Sequence, residues 1–172
     1  MVCPLKRKKV RTKKGKNEIE KANETAFRFL SYCPRSVEEV KRKLEEKGFS
    51  PLTIKKTLAR VKELGYTNDR DYAYVFACSS IKNKQWGTMR IYSVLLSKGV
   101  SQEIANQTVA RIKKEFDMNQ VARQAFEIRF AHFGPHERFD EKTRNRAVNY
   151  LRRKGFSWDT IYTVIKSSID LN

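Results

Sequence analysis

Three stretches of the chain share one pattern: Leu44-Glu45-Glu46-Lys47-Gly48-Phe49-Ser50, Leu95-Leu96-Ser97-Lys98-Gly99-Val100-Ser101 and Leu151-Arg152-Arg153-Lys154-Gly155-Phe156-Ser157. Each reads L-x-x-K-G-[FV]-S, at intervals of 51 and 56 residues. Every part of the pattern has a physical reason. Leu closes an amphipathic helix. Lys stands in the last turn, where a cation meets the negative end of the helix dipole. Gly takes the left-handed position past the helix end, which other residues enter only at a cost. Phe or Val, just past the stop, folds back on the helix it leaves. Ser caps the next helix, and Pro51 follows Ser50 at the first helical position, where proline is best tolerated. The pattern therefore encodes helix, tight turn, helix. One Lys-Gly is an ordinary helix stop; three in register make an internal repeat.

The match extends beyond the turn. Ala59-Arg60-Val61-Lys62 falls opposite Ala110-Arg111-Ile112-Lys113, and Ile161 and Ile165 take the offsets of Ile54 and Leu58. In the first unit, Ile19, Ala22, Ala26 and Leu30 predict a helix over 17–32. Pro34-Arg35-Ser36 breaks it. Ser36 with Glu39 forms a capping box that opens a second helix burying Val37, Val40 and Leu44. A third helix, 51–64, buries Ile54, Leu58 and Val61 and stops at Gly65. The second unit predicts helices over 69–82, 88–98 and 102–115, and the third over 118–132, 141–154 and 158–169. The expected fold is all-α: three tandem three-helix, helix-turn-helix-like repeats over 18–69, 70–117 and 118–172, after an arm over 1–17. Repeats that touch mainly their neighbours stack into an elongated, curved body. With twelve-residue helices of about 18 Å, three units extend over roughly 60–75 Å.

The 172 residues include 37 Lys and Arg against 19 Asp and Glu, a formal net charge of +18. That excess points to a polyanionic partner: nucleic acid, a nucleoprotein or an anionic membrane surface. A hydrophobic fraction of 40% is enough for a packed core and excludes a wholly disordered chain. Only 7 Gly and 4 Pro disfavour a many-turned β-sandwich. Eight bases and no acid lie in the first seventeen positions. Such a block repels itself and is expected to be a disordered arm that contacts phosphates loosely, serves as a nuclear address or is simply solvated. The remaining residues carry +10, divided about +2, +4 and +4 among the three units.

Cys3, Cys33 and Cys78 are an odd, widely spaced set that gives neither a disulfide framework nor a zinc-type pair; Cys33 and Cys78 are expected as small core residues. The apolar run Ala73–Cys78 is far too short to span a bilayer, and no apolar stretch follows the basic N-terminus as a secretory signal requires. The expected setting is cytoplasmic, with no membrane. Phosphate-loop, nucleophile-elbow and H-E-x-x-H motifs are absent from the sequence. His132 and His136 flank Phe133-Gly134-Pro135, which breaks the helix a metal pair would need. Asp140 and Glu141 read as a helix cap and a first-turn carboxylate. Phe27, Phe29, Tyr72, Tyr74, Phe76, Phe126, Phe130, Tyr150 and Trp158 are expected mostly in the core; Trp86, in a polar loop, is the exception.

The order of motifs resembles the bacterial RecX family, regulators of the RecA recombinase. The first unit is similar to that family's opening motif in Arg35-Ser36, Glu39, Leu44, Lys47-Gly48, Leu64-Gly65-Tyr66, Asn68-Asp69 and Tyr72-Ala73. The second is similar in Gly87, Arg90-Ile91, Leu95 and Lys98-Gly99, and the third in Leu151-Arg152-Arg153-Lys154-Gly155-Phe156. The resemblance spans about residues 18–169; the basic tail and a slightly longer third unit depart from it. It implies three tandem three-helix repeats, no enzymatic activity, no cofactor, and a monomer bound along the groove of the RecA–single-stranded-DNA filament. There it would restrain ATP hydrolysis, filament growth and strand exchange.

On that reading the contacts to acidic protomer surfaces or phosphates are Arg35, Lys47, Lys82, Lys84, Arg90, Lys98, Arg144, Arg146, Arg152, Arg153 and Lys154. Gly48, Gly99 and Gly155 are structural turns. Two alternatives remain open: a protein that binds DNA or RNA directly through helix-turn-helix pairs, and a helical scaffold for another acidic protein.

Overall fold

The computed structural model describes residues 13–130 and 140–170, and the side chains of 18–130 and 140–167. Among the described residues all regular structure is α-helical. The helices are α1 (Lys13–Tyr32), α2 (Val37–Glu46), α3 (Pro51–Glu63), α4 (Asp69–Lys84), α5 (Thr88–Ser97), α6 (Gln102–Glu115), α7 (Met118–Phe130), α8 (Glu141–Lys154) and α9 (Trp158–Asp170). They divide into two compact units, Met1–Thr67 with α1–α3 and Asn68–Asn172 with α4–α9.

In the first unit α1 packs on both α2 and α3. It does so through Ala22 and Ala26, whose small side chains let α1 come close to Val40, Leu44, Ile54 and Val61. The entry to α2 is fixed by a reciprocal pair of bonds. Glu39 N–H donates to Ser36 Oγ at 3.1 Å, and Ser36 N–H donates to Glu39 Oε2 at 3.1 Å. Ser50 N–H donates to Glu18 Oε1 at 2.9 Å, which ties the start of α1 to the α2–α3 turn. That backbone bond also holds the Glu18 carboxyl below its ordinary range.

The three repeat turns share one hydrogen-bond pair. Gly48, Gly99 and Gly155 stand at φ 76°, 79° and 87°. Their N–H groups donate to Glu45, Leu96 and Arg152 carbonyls, each at 2.9 Å. The next residues, Phe49, Val100 and Phe156, donate to Leu44, Leu95 and Leu151 at 3.3, 3.1 and 3.3 Å. This double closure satisfies helix-end carbonyls and swings the apolar residue back onto the helix. Val100 and Phe156 are buried there. Ser50, Ser101 and Ser157 then accept from the N–H groups of Thr53, Ile104 and Thr160, starting α3, α6 and α9.

In the second unit α4 packs on α6 and α7 on α9, over one continuous core that joins both repeats. Ile91, Leu95, Ile112, Leu151, Ile161 and Val164 are fully buried in it. On its surface Tyr74 Oη donates to Glu115 Oε2 at 2.7 Å, Arg111 Nε donates to Glu115 Oε1 at 2.8 Å, and the Arg111 guanidinium lies 3.5 Å from the Tyr74 ring centre. The Tyr74–Glu115 bond pushes the phenol pKa up to about 12 and lowers that of the carboxyl.

Several expectations shift in detail. α1 begins at Lys13 rather than Asn17, so only residues 1–12 of the predicted arm lie outside the described residues. α4 continues to Lys84 and closes with Gln85 in the left-handed region at φ 45°. Cys33, expected in the core, is exposed because it follows the last turn of α1; Cys78 is half-buried and Cys3 lies outside the described residues. His132, His136 and the loop between them also lie outside.

Candidate functional site

Helix α5 starts without a side-chain cap: Gly87 stands at its N-cap and offers no acceptor. The exposed helix donors find carbonyls at the end of α8 instead. Gly87 N–H donates to Lys154 O at 2.8 Å and Met89 N–H donates to Gly155 O at 3.1 Å. The positive end of one helix dipole thus meets the negative end of another. The two backbones touch so closely that a Cβ on Gly87 would collide with the Gly155 carbonyl and Phe156 N, and one on Gly155 with the Arg90 backbone. Glycine at both positions is what permits this seam.

Bases gather around it. Arg90 Nη1 donates to Arg153 O at 2.9 Å, and Lys154 Nζ donates to Lys84 O at 2.6 Å. The Arg90 guanidinium and the Lys84 ammonium lie 4.4 and 4.7 Å from the centre of the Trp86 ring. Trp86 meets Phe76 edge-on at 6.3 Å, and Lys98 Nζ lies 5.7 Å from the Phe76 centre. The loop tryptophan is therefore a packing post that orders cations. Such cation–π pairs hold long side chains in place before any partner arrives.

Of the eleven predicted contact bases, Lys84, Arg90 and Lys154 meet at the seam, Lys98 reaches it through the Phe76 ring that packs on Trp86, and Arg153 contributes its main-chain carbonyl. Lys82, in the last turn of α4, and Arg152 are exposed beside them. Arg146 lies on α8 with Lys142, Asn149 and Arg153 at helical spacing, all four exposed. Arg144, also exposed, projects elsewhere from α8. Arg35 and Lys47 belong to the first unit and are not part of the cluster. Arg35 packs over Phe29 at 4.7 Å and pairs with Glu39 at 3.7 Å. Lys47 is the exposed C-cap of α2. Asp140 caps α8 by accepting from Thr143 N–H at 2.8 Å, and the bonds to Thr143 lower its carboxyl pKa.

Two features escape a reading by residue type. Gly87 carries the seam, yet nothing local marks it as a point of backbone contact. Trp158, expected in the core, is 62% exposed, and Tyr162 one turn later is 65% exposed. The reason is register: Thr160, Ile161, Val164 and Ile165 take the inward face of α9, which turns 158 and 162 outward. Among the described residues no cluster of three or more metal-ligating side chains occurs, and no helix is long and apolar enough to cross a membrane.

The model of the RecX first three-helix domain matches residues 22–60. The chain is 30% identical over 151 residues to the regulatory protein RecX of Amycolatopsis mediterranei, covering 87% of this chain and 84% of that one. It is 29% identical over 143 residues to the regulatory protein RecX of Chlorobaculum tepidum, covering 82% and 84%. In fold it is similar to the crystal structure of RecX from Lactobacillus salivarius, with a TM-score of 0.72, 24% identity and coverage of 91% of this chain and 99% of the other.

Proposed function

This chain belongs to the RecX family of regulatory proteins, and from that premise we propose that it binds along the groove of the RecA–single-stranded-DNA filament and restrains RecA. It acts without chemistry of its own, in the cytoplasm, slowing ATP hydrolysis, filament growth and strand exchange during recombination and repair. The observation that supports this reading best is the seam in the second unit. Cations from two repeats, Lys84, Arg90, Lys98 and Lys154, are held in one place by ring contacts and by bonds to main-chain carbonyls. Pre-ordered cations lose less freedom on meeting an acidic partner than solvated ones do. Arg152, Arg153 and Arg146, exposed around the seam, supply the charge that reaches phosphates or protomer carboxylates. Arg90 and Lys154 also serve the fold, so their replacement disturbs structure as well as binding.

Co-sedimentation tests the reading. The protein should pellet with RecA filaments formed on single-stranded DNA at salt concentrations that release it from naked DNA. Pelleting with naked DNA alone, whether or not RecA is present, would favour a direct nucleic-acid binder and refute the filament reading.

A further inference from the structure

The internal repeat is its own control for which surface residues the fold requires. Trp158 stands where the first two units carry Pro51 and Gln102, and Tyr162 where they carry Lys55 and Asn106. All six positions are exposed. The inward positions of the same stretch stay apolar: Ile54, Ala105 and Ile161 at one, Leu58, Val109 and Ile165 a turn later. A face without aromatic rings in two units and with two in the third is not a demand of packing.

The turn before it changes in the same unit. The residues ahead of the shared Lys-Gly are Glu45-Glu46 in the first copy, Leu96-Ser97 in the second and Arg152-Arg153 in the third. The third unit thus combines exposed rings with a positive turn. Trp158 follows Arg153 by five residues, and Lys166 continues the exposed side of α9 one turn beyond Tyr162. Asp159 is the acid on that side. Residues 158 and 162 are about 6 Å apart along the helix axis. That spacing exceeds the 3.4 Å or so between stacked bases of one strand, so each ring can take a base from an extended strand.

We propose that Trp158 and Tyr162 form a stacking platform on α9 for the bases of single-stranded DNA, with Arg152, Arg153 and Lys166 taking its phosphates. Rings beside cations bind unpaired strands without regard to sequence, because every base has a π-face. A duplex keeps its bases stacked on one another and cannot use the platform. The choice of DNA rests on the filament reading above.

The test is the anisotropy of labelled oligo-dT and of a duplex of equal length, titrated with the full chain in the absence of RecA. Trp158→Gln with Tyr162→Asn installs the second unit's own residues, so far-UV ellipticity should not change. If the double variant unfolds, each single substitution carries the same test. Single-strand affinity should fall at least about five-fold for each ring removed, with duplex affinity unchanged. Trp158→Phe with Tyr162→Phe should retain most of the single-strand affinity. Unchanged oligo-dT affinity, an equal loss on duplex, or an equal loss in the Phe variant would overturn the platform. If the Gln/Asn variant keeps oligo-dT affinity but no longer restrains RecA, the face docks on protein, and the platform fails while the filament reading stands. If the unaltered chain ignores RecA yet the variant loses oligo-dT affinity, the platform stands and the filament reading fails.

Discussion

Replacing Gly87 by alanine should be costly for a reason that backbone angles alone would miss. Gly87 stands at φ −78° and ψ 164°, extended backbone that alanine adopts freely. At an N-cap without neighbours, where glycine ranks above alanine, the change would cost about 0.5–1 kcal/mol. Here the new Cβ would meet the Gly155 carbonyl and Phe156 N. Opening the seam to admit it weakens two bonds, Gly87 N–H to Lys154 O at 2.8 Å and Met89 N–H to Gly155 O at 3.1 Å. At about 0.5–1.5 kcal/mol net each, those bonds amount to roughly 1–3 kcal/mol. The strain of an overfilled site adds about 1–3 kcal/mol. Gly48 is the reverse case: φ is 76°, and nothing lies within 4 Å of a Cβ there. Gly48→Ala should cost only the left-handed penalty, about 1–2 kcal/mol. The predicted order, Gly87→Ala worse than Gly48→Ala, is opposite to the order φ alone would give. Urea unfolding measures it. Trp86 and Trp158, the chain's 2 tryptophans, both lie in Asn68–Asn172, so their fluorescence follows that unit. Far-UV ellipticity follows the Gly48 variant. A Gly87→Ala cost no larger than that of Gly48→Ala would refute the seam.

Further expectations follow from the same contacts. Ser36→Ala removes half of a capping box at a fully buried site and should destabilise the first unit by about 1 kcal/mol in chemical unfolding; no change would mean that the box is dispensable. Tyr74 should ionise near pH 12 in an absorbance titration, and that step should vanish in Tyr74→Phe. Because its folded pKa is raised, the stability linked to Tyr74 is complete below the ordinary phenol pKa and is lost as pH rises through the folded value. Glu115 has the opposite sign: its lowered pKa contributes stability above the ordinary carboxylate range, lost as pH falls through the folded value. Arg152→Glu with Arg153→Glu copies the charge of Glu45-Glu46 and should weaken single-strand binding while flattening its salt slope by about 1.4. An unchanged slope would show that neither arginine meets a phosphate.

The helices were legible because two independent signals coincide at their ends. Apolar residues recur at helical spacing, and the stops of α2, α5 and α8 are written in residues with few other uses: Lys-Gly, then an apolar residue, then Ser or Ser-Pro. The observed starts of α2, α3, α6, α8 and α9 each rest on a local capping side chain. The seam was illegible for the opposite reason. Its bonds join residues 63 and 70 positions apart, and Gly87 gives no local sign of its partner. Arg35 and Arg90 look alike in sequence, yet one packs on Phe29 and the other links two repeats. Trp158 reads as core by residue type; Pro51 and Gln102 at the matching positions were the available sign that its site faces water.

Restraint of RecA on single-stranded DNA would be read out by the DNA-dependent ATPase of RecA with this protein present in substoichiometric amounts. On the proposed reading, inhibition is expected well below one molecule per RecA protomer, because one bound regulator would affect the growth of many protomers. An ATPase rate that stays unchanged up to equimolar protein would contradict it.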